Sequence, residues 1–477
     1  MTLRPRAIPL LAVLSTAWPL AVLAAPVAPD TAADTTQKLQ QLQALVERMQ
    51  VRIDELETGQ KRLDGASARP PSGQWGMTPE QARELSRVVV KAAGTEDALE
   101  AQGFRGLKIS GYLDPTYIAT RNLNRRGFQF LDSSANGEYA IDNGSFGTAQ
   151  IDFMKETDSG AKWHLTLMPN RGASGLTIDG QSIVQEASLS MPLGDKQTRL
   201  IAGQIPDWSG HEYAQAPQNK LVSHNLLFDF TIPTVYTGLG LELVRDEWTI
   251  KTLLANVNSS KRAPGEHAPA LAWRVDHYNG EFSGFGAAGL HGKLANWRAL
   301  LDEAGNPLTG EPYATRDTVA HLIEVDGWYT RGDWTVTGQL SYGQQSQAAI
   351  TADPTTGELR TARWWGLSAT AAYKLTPQWE LVVRGDHLNN QAHGGGLLGW
   401  TFADDRNGIG PDPLGDPERG ANRQSLSLGT RYQFDANLAF KAEYRLDQAS
   451  LPVFLDVTTG RYRSTNAMLG AAMVMSF

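Results

Sequence analysis

The feature that most constrains this chain is a regular alternation of short turns and long loops between segments of about ten residues. Apolar and polar residues alternate along these segments, as in Trp334–Tyr342 and Leu438–Leu446, and a period of two indicates strands with one apolar face. Short turns at one end and long loops at the other predict an all-β transmembrane barrel of about 16 antiparallel strands. The predicted turns lie at 158–160, 194–196, 246–247, 279–280, 331–333, 376–378 and 435–437, and the predicted loops at 121–144, 170–181, 206–234, 258–268, 293–317, 345–361, 389–421 and 448–462.

The C-terminal segment supports a barrel. Five apolar residues at alternate positions would face lipid together, and a Phe ends the chain, which resembles the insertion signal of outer-membrane proteins. These residues are Leu469, Ala471, Met473, Met475 and Phe477. No segment reaches the roughly 20 apolar residues that a spanning helix needs. An exported chain without such helices is periplasmic, secreted or a β-barrel, and the strand pattern favours the barrel.

The first 105 residues are predicted to contain three segments. Residues 1–24 form a cleaved signal peptide, because Arg4 and Arg6 precede a short apolar run that ends in Val22-Leu23-Ala24. The run is too short for the alternative, a membrane anchor. Residues 35–64 have apolar residues at steps of three and four, which predicts a short coiled coil or, alternatively, a solitary amphipathic helix. Residues 65–105 form a linker with a short helix near its end, and 106–477 form the barrel.

Composition narrows the function classes. The formal net charge of −8 argues against a nucleic-acid partner, and the absence of cysteine excludes thiolate metal sites, disulfides and cysteine nucleophiles. No nucleophile elbow, HExxH motif or P-loop occurs, so we predict no enzymatic activity, no catalytic residue and no cofactor. One loop has a weak Ca²⁺ signal, although a plain polar turn is the favoured interpretation. Its residues are Asp404, Asp405, Asn407 and Asp412.

Strand parity directs many charged side chains into the barrel, because a charge on the lipid face costs about 2–4 kcal/mol at the midplane. Such mixed charge predicts a water-filled lumen and leaves ion selectivity open. The strand candidates for lining it are Lys251, Arg274, Asp276, Glu324, Asp326, Arg384, Asp386, Lys441 and Glu443.

The third long loop, 206–234, is predicted to fold inward and constrict the lumen, because the apolar run 226–228 is unusual for a surface loop. The alternative is that this loop packs on a neighbouring subunit. Its candidate residues are Asp207, Trp208, His211, Glu212, Lys220, His224 and Asp229.

Several runs resemble porin-like outer-membrane proteins of proteobacteria: Gly106–Asp114 at the first strand, Ile201–Pro206, Asn219–Leu221 and Leu227–Asp229. More distantly, the chain is similar to the phosphate-selective porins. The resemblance implies a homotrimer in the Gram-negative outer membrane, in contact with its lipid, that passes small hydrophilic solutes or ions. Phosphate selectivity is not implied, since this chain mixes acids into the basic ladder of those porins. The alternatives are a tethering barrel with a plugged lumen and a dedicated solute transporter.

Overall fold

The computed structural model describes residues 106–130, 146–168, 183–258, 269–298, 314–399 and 401–477. The predicted signal peptide, coiled coil and linker lie outside the described residues. Within the described ranges, no helix is long and apolar enough to cross a membrane.

Nearly all regular structure in these ranges is β-strand. The strands of the first half are β1 (Leu107–Leu113), β2 (Thr116–Thr120), β3 (Arg125–Gln129), β4 (Ala149–Glu156), β5 (Lys162–Leu167), β6 (Val184–Leu193), β7 (Asp195–Pro206), β8 (Val235–Arg245), β9 (Trp248–Val257) and β10 (Ala270–Asn279). Those of the second half are β11 (Ser283–Arg298), β12 (Ala314–Arg331), β13 (Trp334–Gln345), β14 (Ala362–Lys374), β15 (Trp379–Asn389), β16 (Arg423–Gln433), β17 (Leu438–Ala449), β18 (Phe454–Asp456), β19 (Arg461–Arg463) and β20 (Thr465–Ser476). The helices are a 3₁₀ turn at Ala216–Gln218 and α1 (Leu226–Phe230).

The sheet closes on itself because its last strand pairs with its first. Tyr112 of β1 lies opposite Ser476 of β20, and Thr120 of β2 lies opposite Met468. Strands β1 and β2 are therefore two parts of one barrel strand, interrupted at Pro115, which has no N–H to give to the ladder. In the same way β3 pairs with β2 and β4 pairs with β1, so β3 and β4 form the second barrel strand.

Counted in this way, the described strands form a closed antiparallel barrel of 16 strands, with β18 and β19 as a separate hairpin. This confirms the predicted fold class. Along β14 the burial alternates residue by residue, with Trp364 buried inside and Trp365 and Leu367 exposed outside. An outer face of exposed apolar residues is typical of a barrel surrounded by lipid.

The seven predicted turns join strands at one end of the barrel, where Gly160, Gly194 and Gly332 adopt positive φ angles of 80°, 82° and 60°. Two predicted loops differ from the structure. The predicted loop 293–317 has strand at both of its ends, because β11 continues to Arg298 and β12 begins at Ala314, and loop 121–144 contains β3. At the rim of the barrel neither face of a strand must be apolar, so alternation gives no signal there.

Candidate functional site: a loop that crosses the barrel

Residues 207–234, which connect β7 to β8, fold into the barrel; we call this segment the strap. Local sequence shapes it. The side chain of Asn225 caps α1 by accepting hydrogen bonds from the N–H groups of Leu227 (2.9 Å) and Phe228 (2.8 Å). Leu226, Leu227 and Phe230 are buried, so the apolar run packs inside the barrel.

The strap reaches the opposite side of the barrel. Strands β7 and β8 are the fifth and sixth barrel strands, whereas β15, β16 and β17 are the thirteenth to fifteenth, roughly half a circumference away. We call the inner faces of β15–β17 the far wall. Lys220 of the strap donates to Glu380 at 2.6 Å, and Glu443 accepts from the N–H groups of Val222 (2.9 Å) and Ser223 (2.7 Å).

Basic side chains of the far wall bind the backbone of the strap. Arg384 donates to the carbonyl oxygens of Ser223 and His224, both at 2.7 Å, and Arg445 donates to His224 at 2.7 Å. Lys441 donates to the carbonyl of Asn219 at 2.5 Å. Hydrogen bonds from charged donors are among the strongest in proteins, so these contacts hold the strap firmly.

Glycines of the inner wall make room for the apolar side chains of the strap. A Cβ atom at Gly366 would lie 2.2 Å from Cδ2 of Leu227, and one at Gly429 would lie 2.2 Å from Cδ2 of Leu221. These distances are well below van der Waals contact, so only glycine allows the observed packing. The strap is therefore fixed by shape as well as by charge.

On its other side the strap borders a cavity of about 690 Å³. The opposing surface consists of the inner faces of β4–β12, which we call the near wall. Its side chains form ion pairs: Arg274 bridges Asp276 (2.7 Å) and Asp326 (2.8 Å). His164 of the near wall lies 3.1 Å from both Asp152 and Glu186.

The start of the strap is tied to the near wall. Arg274 donates to the carbonyl of Trp208 at 2.9 Å, and the Trp208 ring packs on Tyr236 with centroids 5.2 Å apart. Asp207 accepts from the Tyr236 hydroxyl and from the N–H of Ser209 at 2.9 Å. Burial nevertheless raises the pKa of Asp207 to about 6, because it disfavours the charged carboxylate.

Glu212 of the strap behaves differently from Asp207. Burial alone would raise its pKa, but the guanidinium of Arg384, 3.0 Å away, holds the pKa of Glu212 below its usual value. The carboxylate is therefore charged and serves as the counterion of Arg384. Its other oxygen accepts from the N–H of Asn225 at 2.6 Å, which also supports the start of α1.

The loop end of the barrel contains an apolar cluster. Trp364 and Leu388 of the inner wall pack with Leu397, Leu398 and Ile409, which come from the long connection between β15 and β16. The same cluster includes α1, so that connection and the strap share one core. Apolar side chains thus fill part of the barrel interior. The mixed charges on the inner faces of the strands predicted a water-filled lumen and did not predict this filling.

The structure divides the predicted lumen residues into two groups. The first borders the cavity and comprises Asp207, Trp208, His211, Glu212, Asp229, Lys251, Arg274, Asp276 and Asp326. The second group is covered by the strap or takes part in its contacts with the inner face of the barrel. It comprises Lys220, His224, Glu324, Arg384, Asp386, Lys441 and Glu443. Strand parity gives the direction of a side chain but not what covers it. The candidate set omitted His164 and Arg445, although Arg445 shares the parity of Glu443.

The weak calcium candidate has the contacts of a polar turn. Asp404 accepts from the N–H groups of Arg406 (3.0 Å) and Asn407 (3.1 Å), and Asp412 accepts from the N–H of Leu414 at 2.9 Å. Among the residues that the structure describes, no group of three or more acidic or histidine side chains could hold a metal ion. These carboxylates cap their own turns, as Asp commonly does.

The fold and site define a class, a closed antiparallel barrel crossed by an inward loop. The chain belongs to the family described as "Protein of unknown function (DUF3138)", whose model matches residues 17–268 and 304–477. No curated protein matches its sequence significantly. The similarity to phosphate-selective porins stays a prediction.

Solved outer-membrane proteins resemble the chain only distantly. OmpT of Vibrio cholerae in its trimer form is 10% identical with a TM-score of 0.49, covering 78% of this chain and 99% of that one. The anion-selective porin from Comamonas acidovorans is 8% identical with a TM-score of 0.46, covering 78% and 99%. OmpF of Salmonella typhi is 14% identical with a TM-score of 0.46, covering 78% and 97%. Likeness at this level carries no argument about function.

Proposed function

We propose that this protein is an outer-membrane porin, a passive channel for small hydrophilic solutes or ions without enzymatic activity. The observation that carries the proposal is the cavity of about 690 Å³ between the strap and the near wall. The first half of the strap lines this cavity on one side and the near wall lines it on the other.

Water access distinguishes the two walls. The side chains of His164 and Lys251 on the near wall are 25% and 31% exposed, whereas Arg384 on the far wall is 0% exposed. Charged groups that face an open space attract water and ions, whereas sealed ion pairs serve structure. The near wall is therefore the surface along which solutes would pass.

The proposed export and assembly rest on the N-terminal sequence. A signal peptide over 1–24 directs the chain across the inner membrane, and the coiled coil over 35–64 helps hold three barrels together in the outer membrane. A coil this short is marginal alone and needs the barrels behind it.

The direct test is conductance of the purified full chain in a planar lipid bilayer. A porin produces stepwise current increases, and a trimer produces them in groups of three. A correctly inserted barrel that carries no current would overturn the proposal. Heat-dependent mobility on gels checks that silent protein is folded.

The apolar cluster at the loop end favours a second candidate, a plugged barrel that tethers the outer membrane to the cell wall. Leu397, Leu398 and Ile409 occupy interior space that an open pore would leave to water. A plugged barrel would be silent in the bilayer, and its full-length form would sediment with purified peptidoglycan.

A further inference from the structure

We infer that the channel selects cations, because the strap covers the basic part of the inner wall and leaves the acidic part open. This inference rests on the proposed porin function and names the class of solute that passes. It follows from which charged side chains remain accessible, a property that the net charge of the chain does not give.

The inner face of the far wall carries slightly more basic than acidic side chains, and four of the basic ones are sealed. Arg384 and Arg445 are 0% exposed, and Arg423 and Lys441 are 1% exposed. Their charges are already matched, since Arg384 pairs with Glu212 at 3.0 Å and Arg423 pairs with Asp447 at 2.7 Å. Carbonyl groups of the strap take up other donors of Arg384, Arg445 and Lys441, as described above. These four side chains therefore cannot attract a passing anion.

The near wall has the opposite balance. Its carboxylates outnumber its basic side chains even if His164 carries a proton. Among the described side chains, and apart from the fully buried Glu324, the carboxylates are Asp152, Glu156, Glu186, Glu242, Asp276 and Asp326, and the basic side chains are Lys162, Arg199, Lys251 and Arg274. Arg274 lies between two of the acids and Lys251 lies 3.5 Å from Glu242, so both are partly neutralised. The surface that solutes meet is net acidic.

A narrow passage amplifies this imbalance. Low-dielectric walls concentrate the field of the lining charges and raise the local concentration of counterions. The strap adds aromatic side chains to the same cavity, Trp208 and Tyr213 among them, and Nζ of Lys251 already lies 6.0 Å from the Trp208 ring. Aromatic faces attract cations. The favoured solutes are thus small inorganic cations and organic ammonium ions.

The test is the reversal potential of the full-length protein in a bilayer with a tenfold KCl gradient. The reversal potential should have the sign expected when potassium permeates faster than chloride. The Glu186→Gln variant should lower the ratio of potassium to chloride permeability about tenfold, because one charge at roughly 6 Å in water changes the local concentrations of potassium and of chloride about threefold each, in opposite directions. Asp353→Asn removes the same charge from an exposed loop turn and should leave the ratio unchanged.

A second variant tests the role of the strap itself. Deleting residues 213–224 removes the cover of Arg384, Lys441 and Arg445, so the potassium preference should fall to about one or reverse. A conducting wild-type channel that prefers chloride, or a strap deletion that keeps the full potassium preference, would overturn the inference while leaving the porin function intact. A wild-type barrel without conductance would instead refute the porin function.

Discussion

Replacing Arg384 with alanine removes the guanidinium that ties the middle of the strap to the far wall. In the native barrel this fully buried group donates to the carbonyls of Ser223 and His224 and pairs with Glu212 at 3.0 Å. The variant leaves the Glu212 carboxylate buried without its counterion. It also leaves a space beneath the strap that the alanine does not fill.

The expected effect is large. Removing one partner of a buried ion pair typically costs about 3–5 kcal/mol, because the other charge stays buried and unpaired. Every 1.4 kcal/mol changes an equilibrium about tenfold. The balance between the seated and the released strap should therefore shift by roughly a hundredfold to a few thousandfold toward release.

Trypsin reports this shift directly. Lys220 is the sole Lys or Arg in the strap, and the following residue, Leu221, is only 4% exposed in the folded barrel. Cleavage after Lys220 requires release of the strap, and its rate follows the released population when release and return are fast. Mass spectrometry of the two fragments, collected over time, gives the rate of cleavage at this one bond.

Arg360→Ala provides the matched control. Arg360 pairs with Glu418 at 2.7 Å in the connections at the loop end and makes no contact with the strap among its described hydrogen bonds. It should leave cleavage after Lys220 at the wild-type rate. Cleavage of Arg384→Ala at the wild-type rate would show that the far-wall ion pairs do not hold the strap.

Three further predictions concern the packing of the strap, its buried Asp207 and the N-terminal segment. Gly366→Val should displace the side chain of Leu227 and destabilise the barrel by about 1–3 kcal/mol in urea unfolding. Gly385→Val should not, because no atom lies within 4 Å of the position of a Cβ at Gly385. Burial raises the pKa of Asp207 to about 6, so protonation of this carboxyl stabilises the folded state. The contribution of Asp207 to the free energy of unfolding should therefore fall as the pH rises from about 4 to 6 and then level off. Asp207→Asn should remove that fall, about 3 kcal/mol, in unfolding curves at pH 4 and pH 8; equal pH dependence of both proteins would contradict it. Deleting residues 26–70 should weaken a trimer on semi-native gels, and an unchanged trimer would count against a role of the coil.

Much of the fold could be predicted because lipid constrains a barrel strand on one face. Alternation along segments such as Trp334–Tyr342, together with turns such as Arg331-Gly332-Asp333, leads to the observed strand count. The inward fold of the strap has a local signal too, since the apolar run 226–228 needs a partner. Each of these features depends on a short stretch of sequence, and the residues of that stretch are sufficient to predict it.

The two walls could not be told apart from the sequence. Lys441 on β17 and Lys251 on β9 both point inward by parity, yet only Lys441 is sealed beneath the strap. That difference depends on which wall is contacted by the loop that joins the fifth and sixth barrel strands. The contacted wall lies about half a circumference away from those two strands. Gly366 and Gly429 likewise appear as ordinary strand glycines until Leu227 and Leu221 lie against them.

The central claim is that solutes pass along the near wall while the far wall is closed. The chain contains no cysteine, so single cysteines can be placed without background labelling. Ser188→Cys lies on the near wall beside Glu186, and Ser427→Cys lies on the far wall beneath the strap, where Ser427 is 0% exposed. Both replace an inner-wall serine.

The most direct measurement is single-channel conductance of these two variants before and after a cationic thiol reagent. An open near wall and a closed far wall predict stepwise currents in both variants, a lasting fall in conductance for Ser188→Cys, and no change for Ser427→Cys. Block of Ser427→Cys alone, or of both variants equally, would contradict this prediction, because the far wall would then be open to solutes.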